Sequence, residues 1–252
     1  MARKKLIAGN WKMFTLGQSA RELAAAVIQI TPSDDRVEVT VCPPFPWLAA
    51  VAEVLKGSRV TLGAQNVHYA KEGAFTGEVS PQMLVDVGCK YAIVAHSERR
   101  HGFREPDFFI NQKVRSALAA GLHVIFCIGE LLAEREANQT DAILDWQLAT
   151  GLHKVPADQM SRVVIAYEPV WAIGTGKVAS PDQAQTAHLH IRKEIAKLYG
   201  EEIAQGVLIQ YGGSVKADNA VEILRQPDVD GALVGGASLK VEQFLPIVKA
   251  AV

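Results

Sequence analysis

Eight short apolar runs, rich in β-branched residues, recur along the 252-residue chain. They are spaced about 31 residues apart, the size of one strand–helix crossover unit. Each run is continuously hydrophobic, without clean alternation, which predicts strands buried on both faces of a parallel sheet. The predicted strands are Leu6–Ala8, Val37–Cys42, Val60–Ala64, Tyr91–Ala95, Val124–Ile128, Val163–Tyr167, Val207–Gln210 and Gly231–Val234.

Helix-forming stretches fill the gaps between these runs. The predicted helices are Ser19–Ile30, Pro46–Leu55, Pro81–Val87, Pro106–Ala120, Leu131–Leu148, Pro181–Tyr199, Lys216–Leu224 and Val241–Ala250. Pro106 and Pro181 stand where a first helical residue is expected. Eight such units without a Pro/Ser-rich linker predict an α/β fold: a single-domain (β/α)8 barrel with eight parallel strands over residues 1–252.

A doubly wound open sheet is the alternative architecture. A dinucleotide-binding sheet would carry a G-x-G-x-x-G turn after its first strand, whereas this chain has Gly9-Asn10-Trp11-Lys12 there. The barrel is therefore favoured.

The charge balance and composition exclude several classes of protein. Lys and Arg number 26 against 27 Asp and Glu, a net charge of −1, which argues against nucleic acid as a partner. No apolar run approaches the roughly 18 residues of a membrane span. Three scattered cysteines without a C-x-x-C pair predict no disulfides, and hence a cytoplasmic protein. The basic cluster of Arg99, Arg100 and Arg104 favours local ion pairs.

Polar side chains follow the predicted strands at their carboxyl ends, where a parallel barrel gathers its chemistry. They are Asn10, Lys12, Gln65, Asn66, His96, Ser97, Glu98, Glu130 and Glu168. The last two strands end in the glycine pairs Gly212-Gly213 and Gly235-Gly236. We expect one site assembled from residues that are distant in the chain.

Taken singly, these residues have ordinary interpretations. His96 could be a structural histidine, Glu168 an ion-pair partner, and the glycine pairs simple turns. The His96-x-Glu98 pattern lacks the P-C-x-x-C of zinc deaminases, and the sequence around residues 174–177 fails the Walker A pattern. His188 and His190 are expected on a helix surface.

Taken together, the same residues predict a specific chemistry. Backbone N–H groups at the glycine pairs can cradle a phosphate, and Lys12 adds a positive charge for a dianion. His96 can polarise a carbonyl, and Glu168 can take a proton from carbon. The combination predicts proton transfer on a small phosphorylated carbonyl compound without a metal, because no cluster of metal ligands is present.

Seven short segments carry a family resemblance. They are Gly9–Met13, Gly73–Glu78, His96–Arg100, Cys127–Glu130, Tyr167–Lys177, Tyr211–Val215 and Leu233–Ala237. In this order they resemble the triosephosphate isomerase family, over the whole chain. The resemblance implies the TIM barrel and the cofactor-free interconversion of dihydroxyacetone phosphate and D-glyceraldehyde 3-phosphate through an enediolate, in glycolysis and gluconeogenesis.

The resemblance also implies roles for individual residues. Glu168 would be the base, His96 a neutral electrophile, and Lys12, with Asn10 beside it, the counter-charge. Substrate contacts would come from Asn10, Lys12, Gly174, Ser214, Gly235 and Gly236. Glu98 and Thr76 would be supporting residues, and Pro169–Lys177 would form a lid that excludes water.

Two features bear on how this chain differs and assembles. The family usually has Gly before the histidine, whereas this chain has Ala95. At the position of Phe14, a polar residue is commoner in the family. The segment 66–80 is long for a βα loop and carries Tyr69 and Phe75. By resemblance it inserts into a second subunit and brings Thr76 to the neighbouring site, which implies a homodimer.

Two other functions compete with this interpretation. Another phosphate-binding barrel isomerase would share the glycine cradle but lack the lid segment after Glu168. A non-catalytic barrel serving as a binding scaffold would be expected to have lost Lys12, His96 or Glu168. All three are present.

Overall fold

The computed structural model describes residues 3–173 and 178–252, which form a closed barrel of eight strands in chain order. Neighbouring strands are parallel, and the first strand pairs with both the second and the last. The strands are β1 (Lys5–Asn10), β2 (Val37–Cys42), β3 (Thr61–Ala64), β4 (Tyr91–Val94), β5 (His123–Ile128), β6 (Val163–Tyr167), β7 (Leu208–Tyr211) and β8 (Gly231–Val234). The predicted (β/α)8 barrel is confirmed.

Helices connect the strands on the outside of the barrel. They are α1 (Gly17–Ile30), α2 (Leu48–Leu55), α3 (Pro81–Asp86), α4 (Asp107–Ala119), α5 (Leu132–Glu136), α6 (Thr140–Gly151), α7 (Pro181–Tyr199), α8 (Glu201–Gly206), α9 (Ala220–Leu224) and α10 (Val241–Lys249). A capping box starts α7: the hydroxyl of Ser180 accepts from the N–H of Gln183 at 3.1 Å, and the Gln183 amide oxygen accepts from the Ser180 N–H at 2.9 Å.

The strands are buried on both faces, which explains their unbroken apolar runs. One cluster fills the barrel and includes Leu6, Ala8, Tyr91, Ile93, Ile125, Val164, Ala166 and Leu233. A larger cluster packs the outer faces of the strands against the helices. Cys42, Cys89 and Cys127 are buried and free, as their apolar surroundings predict. Within the described residues, no helix is both long and apolar enough to cross a membrane.

Several boundary predictions were wrong. The predicted helix Lys216–Leu224 begins only at Ala220. The predicted helix Leu131–Leu148 is two helices, α5 and α6, because Asn138 between them has a φ of 57°. Asn tolerates this left-handed conformation, which no helix interior accommodates. Pro106 is the residue before α4 and not its first residue, since its ψ of 155° is extended.

Candidate active site

A cavity of about 680 Å³ opens at the carboxyl ends of the strands. Its lining includes Asn10 at the end of β1, residues that follow β1, β4 and β6, and glycines that follow β7 and β8. The cavity brings together Asn10, Lys12, His96, Glu168, Gly212, Gly213, Ser214, Gly235 and Gly236. Residues spread from the first strand to the last thus meet at one mouth of the barrel.

Glu168 lies directly after β6 and is only 2% exposed. Its carboxylate accepts a hydrogen bond from the backbone N–H of Ser97 at 2.8 Å, and one oxygen lies 3.0 Å from Nε2 of His96. Burial raises the pKa of Glu168, but His96, the Ser97 N–H and the charge of Lys12 outweigh burial and hold that pKa below its ordinary value. The carboxylate is therefore ionised and available as a base.

His96 follows the left-handed residue Ala95 at the end of β4 and is 6% exposed. Its Nδ1 accepts the backbone N–H of Glu98 at 3.3 Å, which leaves the ring proton on Nε2, facing Glu168. Burial lowers the pKa of His96, but the Glu168 carboxylate outweighs burial and raises that pKa above its ordinary value. The ring is held between a backbone donor and a carboxylate acceptor.

Lys12 adopts a left-handed conformation with a φ of 49°, which costs energy for a residue with a side chain. Three contacts hold it: its Nζ lies 2.6 Å from the Glu98 carboxylate, its N–H donates to Oδ1 of Asn10 at 3.0 Å, and its carbonyl accepts from Nε2 of Gln65 at 2.7 Å. The predicted proximity of Lys12 to Asn10 and Glu98 agrees with these distances. The ammonium group lines the cavity.

Two glycines on the cavity wall leave space for the charged side chains beside them. A Cβ at Gly212 would lie 2.8 Å from Cγ of Glu168, and one at Gly235 would lie 3.2 Å from Cε of Lys12. A side chain at either position would displace a charged group. Gly236 begins the short turn Gly236–Leu239 that follows β8, so its backbone lies at the cavity edge.

Some predicted site residues lie elsewhere. Thr76 is exposed on the segment 66–80, away from the residues that line this cavity. Gly174 and the second half of the predicted lid, through Lys177, lie outside the described residues, so their roles remain predictions. The first half contains the turn Val170–Ala172, where Nε1 of Trp171 donates to Glu130 at 2.8 Å.

Sequence reasoning noticed Ser97 and Gln65 as polar residues at strand ends but gave them no role. Ser97 holds the Glu168 carboxylate, and Gln65 holds the backbone of Lys12. Both contacts join residues more than 50 positions apart, so no local pattern could have revealed them. The rim residues Lys216, Asp218, Glu242 and Gln243 were also missed.

Other predicted positions were tested by the structure. Arg99 and Arg100 form local ion pairs with Glu105 and Asp107, as their clustering predicts. His188 is fully buried, so its predicted surface position was wrong. Its Nδ1 lies 3.1 Å from the carbonyl oxygen of Asp228, and burial lowers the pKa of His188 to about 4. Residues 3–173 and 178–252 contain no cluster of three or more His, Cys, Asp or Glu that could hold a metal ion.

Ala95, the residue before His96, has a strained backbone. Its φ is 65°, and its methyl group is fully buried behind His96. The left-handed conformation costs a residue with a Cβ roughly 1–2 kcal/mol. This strain is the structural consequence of the departure that the sequence shows.

We expect Ala95→Val to lower the free energy of unfolding by about 3 kcal/mol, because a β-branched residue adds strain and overpacks a buried site. Ala95→Gly is the matched control. It relieves about 1–2 kcal/mol of strain, but it loses about 0.4–1 kcal/mol through the freer unfolded chain and a buried methyl group. Urea denaturation compares the two variants, and Ala95→Val as stable as Ala95→Gly would contradict the expected cost of a β-branched residue at this position.

Fold and site together define a (β/α)8-barrel enzyme with an acid–base pair and a charged, glycine-walled cavity at the carboxyl ends of its strands. The family model described as "Triosephosphate isomerase" matches residues 5–251. The chain belongs to the triosephosphate isomerase family. Membership in this family favours neither of the two competing functions, which were another phosphate-binding barrel isomerase and a non-catalytic binding scaffold.

Relatives with that name match the chain along its whole length. The triosephosphate isomerase of Carboxydothermus hydrogenoformans is 55% identical over 250 residues, which cover 99% of this chain and 100% of the relative. Its counterpart from Chloroflexus aurantiacus is also 55% identical, with 98% of each chain covered. That from Rhodopirellula baltica is 48% identical over 100% of this chain and 99% of its own length.

Proposed function

We propose that the cavity is the active site of a triose-phosphate isomerase, with Glu168 as its base. In this reaction Glu168 takes a proton from C1 of dihydroxyacetone phosphate to form an enediolate and returns a proton to C2. The hydroxyl proton on O1 moves to O2 in the same sequence, which gives D-glyceraldehyde 3-phosphate. C1 is oxidised as C2 is reduced within the same molecule, so there is no net redox change and the proton transfers need no cofactor. The observation that carries the proposal is the meeting of Glu168, His96 and Lys12 in one cavity.

His96 is the proposed electrophile toward the two reacting oxygens. The Glu98 N–H at Nδ1 supports a neutral ring with its proton on Nε2. Glu168 raises the pKa of His96 through its contact with Nε2, so substrate that replaces this contact removes the cause of the rise. A neutral donor can bind the carbonyl oxygen and then the enediolate oxygen without giving up its proton permanently. Because Nε2 now faces Glu168, substrate has to enter between the two groups and replace their contact.

Lys12 is the proposed counter-charge for the phosphate and the developing enediolate, with Asn10 beside it. Ser214, Gly235 and Gly236 are proposed to bind the phosphate through the cavity wall that they form with Lys12. Gly174 and the rest of the lid segment Pro169–Lys177 are proposed to close over the substrate. Closure would exclude water and protect the enediolate.

A coupled assay tests the reaction: glycerol-3-phosphate dehydrogenase consumes NADH as glyceraldehyde 3-phosphate becomes dihydroxyacetone phosphate. We expect kcat/KM of about 10⁷–10⁸ M⁻¹s⁻¹, the upper range for enzymes. Folded protein without turnover would reject the proposal and favour a binding role.

We also propose that the protein forms a homodimer through residues 66–80. Large apolar side chains are exposed near the site: Met13 is 93% exposed, Leu16 74% and Phe14 55%. Phe75, at the tip of the segment 66–80, is 40% exposed. Such a surface requires cover, and a second copy would supply it. A fully active monomer in sedimentation at micromolar concentration would contradict the dimer.

The cytoplasm is the proposed compartment. Glycolytic substrates are found there, and the three thiols Cys42, Cys89 and Cys127 are free, as a reducing compartment requires.

A further inference from the structure

A buried ion pair lies behind the active site, outside the cavity. Lys113, in the middle of α4, is fully buried, and its ammonium donates to Oε1 of Glu105 at 2.5 Å. The Glu105 side chain is only 7% exposed. Burying both charges is costly, and apolar residues of similar volume would fill the space at least as stably. Stability alone therefore does not account for this pair.

Each member of the pair holds a residue in a loop of the site, Lys113 in the loop after β3 and Glu105 in its own loop after β4. Lys113 also donates to Oδ1 of Asn66 at 2.9 Å, directly after β3. Glu105 also accepts from Nε of Arg99 at 2.5 Å, in the turn after β4. The pair thus ties two loops of the site together through four charged or polar side chains.

The sequence neighbours of these two residues are the ones that hold Lys12. Gln65, next to Asn66, donates to the Lys12 carbonyl at 2.7 Å. Glu98, next to Arg99, lies 2.6 Å from the Lys12 ammonium. A shift of either loop would move one of the two contacts, and Lys12 has a strained backbone that its surroundings must hold in place.

We propose that Lys113 and Glu105 are positioning residues for Lys12, acting through the neighbours Asn66–Gln65 on one side and Arg99–Glu98 on the other. The inference rests on the proposed role of Lys12 at the substrate. It predicts that the buried pair contributes to catalysis more than to stability, which is the reverse of an ordinary core contact.

The central test is the double variant Lys113→Met/Glu105→Leu, which replaces both charges with apolar side chains. We expect the double variant to be at least as stable as wild type. Its kcat/KM should be lowered about 10-fold, since displacing a catalytic group by about 1 Å costs up to about 10²-fold in rate. The competitive inhibition constant of inorganic phosphate should rise by a similar factor, because Lys12 would no longer be held against the anion. A merely structural role would move neither constant.

Two further variants complete the design. Val114→Ala, the next position in α4, is the matched control: Val114 is buried and apolar, so its truncation should lower stability and leave both constants unchanged. Asn66→Ala keeps the ion pair and removes its contact to the loop after β3. Asn66→Ala should lower kcat/KM several-fold. If the double variant does not fold, this variant tests the positioning role in its place.

The outcomes separate this inference from the proposed function. Wild-type protein without isomerase activity would reject the proposed function itself, whereas a fully active Lys12→Ala would reject the role of Lys12 on which this inference rests. The positioning role is overturned if wild type is active, its rate depends on Lys12, and the folded double variant keeps the wild-type kcat/KM and phosphate inhibition constant. If the double variant does not fold, the same result in Asn66→Ala overturns it. Equal kinetic losses in Val114→Ala would overturn it as well.

Discussion

Glu168→Asp is expected to lower kcat about 10²-fold, because the shorter side chain withdraws the carboxylate by roughly 1 Å from the reacting carbon. The backbone of Glu168 cannot follow the shortened side chain, since its N–H donates to the carbonyl of Ile128 at 2.7 Å and a Cβ at Gly129 would lie 1.7 Å from the Glu168 carbonyl oxygen. KM should change little, because the substitution leaves the proposed phosphate-binding residues Lys12, Ser214, Gly235 and Gly236 unchanged. The coupled assay measures both constants.

Glu168→Gln is the companion variant, since it keeps the length and removes the base. Its amide oxygen can still accept the Ser97 N–H, so the fold should be retained, while the loss of general-base catalysis should reach about 10²–10⁴-fold. The variant also removes the charge that raises the pKa of His96, so that pKa should fall. Near wild-type turnover in Glu168→Asp would remove Glu168 from the mechanism.

The barrel could be predicted from sequence because its strands have a distinctive pattern. A strand covered by helices on one side and by the barrel interior on the other needs apolar residues at every position, as Val163–Tyr167 has in β6. The break at Asn138 had no comparable signal, because one residue in a left-handed conformation ends a helix without altering its composition.

The residues of the site could be predicted more completely than the contacts between them. Strand ends identify which side chains meet, so Lys12, His96 and Glu168 were found. The contact from Ser97 to Glu168 depends on the exact approach of two loops, and sequence spacing does not encode that approach. The strain at Ala95 likewise became visible only as a backbone angle.

The buried position of His188 did have a signal in the sequence. Ala184, Ile191 and Ile195 lie four residues before it and three and seven after it, so all four share one face of α7, and all four are buried. The two-residue spacing between His188 and His190 does not by itself show which of them lies on the buried face. Periodicity over the whole helix decides which face a polar residue occupies.

Lys12→Ala is expected to lower kcat/KM by more than about 10³-fold, beyond the loss of a single neutral donor. A unit charge about 4 Å from an anion is worth roughly 4 kcal/mol at an effective dielectric constant near 20, and the substrate carries a dianion. The substitution also leaves Glu98 unpaired, since its carboxylate lies 2.6 Å from the Lys12 ammonium. The cavity would then repel the substrate it should attract.

Two further variants separate these contributions. Lys216→Ala removes another positive charge from the lining of the same cavity, but at its exposed rim, where solvent screens the charge. We expect a loss of at most about 10-fold in kcat/KM. Lys12→Ala/Glu98→Gln removes both partners and should recover part of the rate lost in Lys12→Ala, because the unpaired carboxylate is gone. A Lys12→Ala enzyme with KM raised only a few-fold and kcat unchanged would show that Lys12 binds the substrate weakly and takes no part in stabilising the enediolate.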